Sequence, residues 1–125
     1  MKRMVITGVK GIIGAELCKR FIAKGYYVIG IDRIDPQEKE EVSGGWFEYI
    51  KLDIIDQDRV KQFFSDLGFD YLIHCAALVH KNSPDLSFNN FMQINYEGTK
   101  NIFDSVSQSK NKDGLKRAIF FGFRF

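Results

Sequence analysis

The sequence predicts an α/β fold, a doubly wound parallel sheet of about five strands in the order 3-2-1-4-5. Three observations lead there. Short apolar segments alternate with segments of helical period in the order β-α-β-loop-β-α-β-α-β. The strand segments, such as Tyr26-Tyr27-Val28-Ile29-Gly30-Ile31, are almost free of polar groups, which calls for cover on both faces of the sheet. A glycine-rich turn joins the first strand to the first helix. Buried strands separated by helices pair in parallel, with right-handed crossovers.

Val5-Ile6 is the first strand, and Thr7-Gly8 turns the chain out of it. From Gly11 to Lys24 the pattern is helical: Ile13, Leu17 and Phe21 recur every four residues, with Cys18 and Ile22 beside them. Gly25 suits the residue that ends that helix. Tyr26 to Ile31 is the second strand, with Asp32 at its end. Residues 33–45 are polar and carry Pro36, an acidic run (Glu38, Glu40, Glu41) and Gly44-Gly45, which predicts a loop. Phe47 to Leu52 is the third strand. Asp56 caps a helix reaching about Leu67, with Val60, Phe63, Phe64 and Leu67 inward. Tyr71 to Ala76 is the fourth strand, residues 78–87 are a loop, and a long helix covers about 88–109. Its apolar stripe is Phe88, Phe91, Met92, Ile102, Phe103 and Val106, with Asn95 and Gly98 on the same line. A glycine there costs about 1 kcal/mol of helix propensity against alanine, so close approach of another backbone is expected. Leu115 to Phe121 is the fifth strand.

The 125 residues suit one domain, 1–125, able to bury a core without disulfides or metals. Eighteen Lys and Arg against 16 Asp and Glu leave a net charge of +2, which gives no support for a nucleic-acid or polybasic membrane partner. Cys18 and Cys75 sit in apolar segments, as in a reduced, cytoplasmic chain. No apolar run approaches the roughly 18 residues of a membrane span, and the N-terminus enters a strand without a cleavage pattern. No metal site is expected, since Cys75 has no His or Cys at useful spacing.

Gly8-Val9-Lys10-Gly11-Ile12-Ile13-Gly14 lies between the first strand and the first helix. Gly8 permits the tight turn, Gly11 lets backbone approach a pyrophosphate, and Gly14 lets helix and strand pack closely. The helix N-terminus, at Ile12 and Ile13, presents N–H groups and partial positive charge to the phosphates. Asp32 stands 18 residues past Gly14, where a carboxylate can accept hydrogen bonds from both adenosine ribose hydroxyls. It would repel a 2′-phosphate, which favours NAD over NADP. Arg33 keeps NADP open, because a guanidinium can pair with that phosphate.

The segment Thr7-Gly8-x-x-Gly11-Ile12-Ile13-Gly14 resembles the TGxxGxxG loop of extended short-chain dehydrogenases/reductases, the NAD-dependent sugar epimerases and dehydratases with a Rossmann-type fold. Three further segments are similar to that family. Leu52-Asp53-Ile54-Ile55-Asp56 resembles its D-x-x-D segment, which implies that Asp53 contacts the adenine amino group and Ile54 lines the adenine pocket. His74-Cys75-Ala76-Ala77 resembles its H-x-A-A segment, which implies that Cys75, Ala76 and Ala77 border the nicotinamide-side ribose. Asn95-Tyr96-Glu97-Gly98-Thr99-Lys100-Asn101 resembles its N-x-x-G-T-x-N helix. The resemblance gives Asn95 a supporting role beside the catalytic lysine; the residues alone read equally as a buried amide tying the helix to a strand.

The family places a serine at the end of the fifth strand and a Tyr-x-x-x-Lys pair on the next helix. Here the strand is followed by Gly122-Phe123-Arg124-Phe125, and no serine pair follows. Tyr96 and Lys100 have the right spacing, but inside the N-x-x-G-T motif, on the wrong helix. No catalytic residue is therefore assigned. His74 reads as a core histidine, and His80 has only its position in a loop to recommend it. The expectation is a cofactor-binding N-terminal part of a nucleotide-sugar epimerase or dehydratase, inactive alone, from a truncated or frameshifted gene or a trimmed chain. The alternative is a non-catalytic NAD(P)-sensing module. Self-association is expected through the long helix and the fifth strand, whose apolar faces lack a cover.

Overall fold

In the computed structural model, residues 1–36, 46–76 and 87–121 are described. The elements are β1 (Arg3–Thr7), α1 (Ile12–Ala23), β2 (Tyr27–Asp32), β3 (Trp46–Lys51), α2 (Gln57–Ser65), β4 (Tyr71–His74), α3 (Phe88–Ser107), a 3-10 turn (Lys112–Gly114) and β5 (Arg117–Phe120). The strands pair in parallel in the order β3-β2-β1-β4-β5. Because side chains alternate across a strand, the register that sets Val5 against Ile29 and Leu72 puts these three on one face. There they pack with Val60 and Phe64 of α2 and Ile102 and Val106 of α3. Met4, Ile6, Val28 and Ile73 point the other way and meet Cys18 and Ile22 of α1. The two apolar layers account for the near-continuous hydrophobic runs of β1 and β2.

Local sequence sets the helix ends, with Gly25 and Asp56 in the roles expected of them. At the end of α1, Gly25 has φ +92°, its N–H reaches the Ile22 carbonyl, and the Tyr26 N–H reaches that of Phe21. This is a Schellman closure, and the Phe21 and Tyr26 rings meet edge to face at 5.3 Å across it. Asp56 caps α2 by accepting from the Arg59 N–H at 3.3 Å, and Ser87 caps α3 by accepting from the Asn90 N–H at 3.2 Å.

The inner line of α3 differs from the expected stripe. Phe91, Gly98, Ile102, Ser105 and Val106 are buried, whereas Phe88 and Met92 are exposed. Met92 lies about 100° around the helix from Phe91, off the line that faces the sheet. Phe88 sits in the first turn. β5 is the outermost strand on its side, and all four of its residues are exposed. Among the described residues no helix is long and apolar enough to cross a membrane.

Candidate functional site

Among the described residues, Gly8, Asp32, Asp53, Ile54, Cys75 and Ala76 follow or end the strands at their carboxyl ends. The strand order reverses between β1 and β4, and such a switch point opens a crevice above the sheet. Gly8 leaves β1 with φ +74°, a conformation that costs any residue with a Cβ. A Cβ there would also lie 2.8 Å from the Ala76 nitrogen. The first glycine thus serves two purposes, the turn and close contact with the chain leaving β4. At Gly14 a Cβ would come within 2.1 Å of the Gly8 carbonyl oxygen, so the helix start is pressed onto the loop. At Gly11 the single near neighbour is that same oxygen at 3.3 Å. Gly11 is also the N-cap of α1, and no side chain caps the helix. An uncapped first turn leaves backbone N–H donors for an anion. Ile12 and Ile13, at this turn, are 88% and 45% exposed.

Asp32 ends β2 beside the loop. One carboxylate oxygen accepts from the Lys10 N–H at 2.9 Å and the other from the Arg33 N–H at 2.8 Å. A carboxylate has about four acceptor positions, so each oxygen retains capacity for a ribose hydroxyl. Asp32 therefore also braces the glycine loop, a role its spacing does not reveal. Arg33 is exposed. The Tyr49 hydroxyl donates to the Ile34 carbonyl, and the Lys10 ammonium lies 4.6 Å from the Tyr49 ring centre. Burial, and after it the charges of Asp32 and Asp35, push the Tyr49 phenol upward.

Asp53 follows β3, and its carboxylate accepts from the Ile55 N–H at 3.2 Å. Ile54 beside it is clamped by α3. A Cβ on Gly98 would lie 2.5 Å from Ile54 Cδ1, and the Asn101 side-chain amide donates to the Ile54 carbonyl at 2.9 Å. The close neighbour of Gly98 is therefore a side chain, not the backbone expected from the sequence. The expected adenine wall is seated on the helix by the glycine and the second asparagine of the N-x-x-G-T-x-N segment. Asn95 is half-buried one turn earlier.

β4 ends at His74, two residues short of the expected strand. Its partner β1 ends at Thr7 and turns away at Gly8; past that point the Cys75 N–H still reaches the Thr7 carbonyl at 3.2 Å, and the Thr7 hydroxyl oxygen accepts from the Cys75 and Ala76 N–H groups, each at 3.1 Å. His74 is fully buried, between the Thr7 hydroxyl at 2.6 Å from Nδ1 and the Thr99 hydroxyl at 3.0 Å from Nε2. Burial lowers its pKa to about 4, so the ring is neutral near pH 7, as expected of a core histidine. Burial likewise pushes the Cys75 thiol up to about 11, away from nucleophilic use. Ala77 and His80 lie outside the described residues, as does the segment from Gly122 onward.

Tyr96 is 66% exposed, and Lys100 is paired with Asp104, whose hydrogen bond and charge hold the ammonium above its usual range. Both side chains lie on the exposed side of α3. Among the described residues no group of three or more His, Cys, Asp or Glu could hold a metal. A cleft of about 520 Å³ lies at the opposite end of the strands, lined by Arg3, Gly68, Asp70 and Lys110 among others. Arg3 donates to the Gly68 carbonyl and the Asp70 carboxylate, and Lys110 pairs with Asp66.

Known proteins resemble this chain in sequence and fold. A probable dTDP-glucose 4,6-dehydratase of Sinorhizobium fredii is 25% identical over 124 residues, covering 95% of this chain and 35% of the relative. An uncharacterized epimerase/dehydratase of Staphylococcus aureus is 35% identical over 115 residues, covering 85% of this chain and 33% of the relative. The chain thus spans about a third of the length of these two relatives. Among solved structures, the Bordetella bronchiseptica enzyme WbmH in complex with NAD+ superposes with a TM-score of 0.71 at 26% identity, over 94% of this chain and 38% of that one. The UDP-Glc/GlcNAc 4-epimerase of Campylobacter jejuni shares the fold, with a TM-score of 0.75 at 20% identity over 96% of this chain and 36% of that one. The model of the NAD dependent epimerase/dehydratase family matches residues 4–122. With the glycine loop, the acid after β2 and the strand order already in place, this match makes the chain a member of the NAD-dependent epimerase/dehydratase family.

Proposed function

We propose that residues 1–125 form a cofactor-binding unit that takes NAD, with NADP the weaker ligand, as the dinucleotide half of a nucleotide-sugar epimerase or dehydratase. The carrying observation is the uncapped N-terminus of α1 behind Gly8 and Gly11, with the Asp32 carboxylate braced beside it at 2.9 Å from the Lys10 nitrogen. In this reading the Ile12 and Ile13 amides hold the pyrophosphate and Asp32 holds the adenosine ribose. Asp53 and Ile54 receive the adenine, and Cys75, Ala76 and Ala77 border the second ribose. Bound NAD supplies a hydride acceptor; the chain supplies binding and orientation. The nucleotide-sugar substrate is inferred from the dTDP-glucose dehydratase relative. The 125 residues, tested alone, bind cofactor and transfer no hydride, because their single Tyr-x-x-x-Lys spacing is the surface pair Tyr96 and Lys100. A cytoplasmic location belongs to this reading.

Titration calorimetry with NAD and NADP tests it. Loss of a charge-assisted hydrogen bond predicts that Asp32→Asn weakens NAD about tenfold or more. No heat with millimolar NAD, or an unchanged affinity in the variant, sinks the assignment. A second reading is a sensing module without redox chemistry; it requires a partner whose affinity shifts with NAD. The exposed side chains of Phe88, Met92, Ile119 and Phe120 support self-association through α3 and β5. A monomeric sedimentation profile at high protein concentration would refute that part.

A further inference from the structure

A buried histidine between two threonines has no place in the reading above, yet it touches the segment that borders the cofactor crevice. Its proton arrangement follows from counting donors. The Thr7 oxygen has one hydrogen and two lone pairs. The Ala76 N–H is directed to it, and the Cys75 N–H is shared between it and the Thr7 carbonyl at 3.2 Å. A third donor would overfill the oxygen, so Thr7 donates its own hydrogen to His74 Nδ1, 2.6 Å away. Nδ1 then carries no proton and Nε2 carries one, directed at the Thr99 hydroxyl 3.0 Å away. Phe120 stacks on the ring at 5.5 Å and Phe103 meets it edge-on at 6.1 Å, which fixes its plane.

We infer that His74 and Thr99 are positioning residues for the cofactor site. Thr99 on α3 orients the His74 ring, His74 holds the Thr7 hydroxyl hydrogen, and the Thr7 oxygen is thereby aimed at the amides of Cys75 and Ala76. The same amide of Ala76 faces Gly8, so the relay sets the spacing between the glycine loop and the chain leaving β4. The α3 helix is thus coupled to the crevice through polar contacts as well as through Ile54. The cofactor part of this inference rests on the NAD reading above; the relay itself does not.

The test uses the NAD-free 125-residue protein first. Long-range proton–nitrogen correlation spectra should show the His74 tautomer protonated at Nε2 near pH 7. A ring protonated at Nδ1 overturns the relay. Thr99→Val keeps the shape and removes the acceptor. It should speed hydrogen exchange of the Ala76 amide about fivefold, the effect of one net hydrogen bond, and Thr99→Ser should restore it. Equal exchange in all three proteins overturns the inference. His74→Asn, whose oxygen can stand where Nδ1 stood, should protect Ala76 better than His74→Gln; the reverse order counts against the relay. NAD affinity should then fall about fivefold in Thr99→Val and recover in Thr99→Ser. A wild type that takes up no NAD refutes the cofactor reading, while the tautomer and exchange results still decide the relay.

Discussion

Three glycines separate two physical reasons for lacking a side chain. Gly25 has φ +92° with open space around it. Gly14 lacks a positive φ, but its Cβ would meet backbone, 2.1 Å from the Gly8 oxygen and 2.7 Å from the Gly8 carbonyl carbon. Gly8 combines both, with φ +74° and the Ala76 nitrogen, Ala76 Cα and Cys75 carbonyl carbon within 2.8–2.9 Å of a Cβ. Alanine in the left-handed region costs about 1–2 kcal/mol, offset by roughly 0.5 kcal/mol from a less flexible unfolded chain. Gly25→Ala should therefore cost about 1 kcal/mol. Overpacking against rigid neighbours costs about 1–3 kcal/mol. A contact of 2.1 Å to backbone puts Gly14→Ala at the upper end, and gained helix propensity returns about 1 kcal/mol. The net for Gly14→Ala is about 2 kcal/mol. Gly8→Ala carries strain and crowding together, about 3–4 kcal/mol. Urea unfolding followed by circular dichroism measures all three, read from midpoints at a common slope. If Gly8→Ala proves as mild as Gly25→Ala, the crowding between the loop and the end of β4 is wrong.

Two further outcomes are expected. The His74 pKa falls from an ordinary 6.5 to about 4 on folding, so the unfolded chain binds more protons between those values. Stability should be full above pH 6.5 and fall by about 3 kcal/mol as pH drops to 4, a slope that His74→Gln removes; a wild type and variant with parallel pH–stability curves would refute it. Gly98→Ala should cost only about 1 kcal/mol, because gained helix propensity offsets part of the crowding against Ile54, whose Cδ1 and Cγ1 would lie 2.5 and 2.8 Å from the new Cβ. Its NAD affinity should nevertheless fall, and unchanged calorimetry would remove Ile54 from the adenine pocket.

The order of elements and of strands, the glycine turn, the Gly25 stop and the Asp56 cap were all legible in the sequence. Each depends on residues within one or two turns of one another: an apolar period, a φ that only glycine tolerates, a carboxylate three residues before an N–H. Strand order joined them because buried strands alternating with helices admit few topologies. What tertiary structure decided involves partners far apart in the chain. Asp32 reaches Lys10 across 22 residues, His74 binds Thr7 across 67, and Asn101 holds Ile54 across 47. No local pattern encodes whether Gly98 faces backbone or the side chain of Ile54, since that depends on how α3 lies against the chain leaving β3. Nor does periodicity show that the Thr7 hydroxyl accepts from the amides just past β4, because a threonine at the end of a strand looks the same with or without a partner. The sequence alone therefore determined the fold and where the crevice opens, through local backbone demands and patterned burial. Only the packed structure decided how the crevice is braced, because hydrogen-bond partners are chosen by proximity in space.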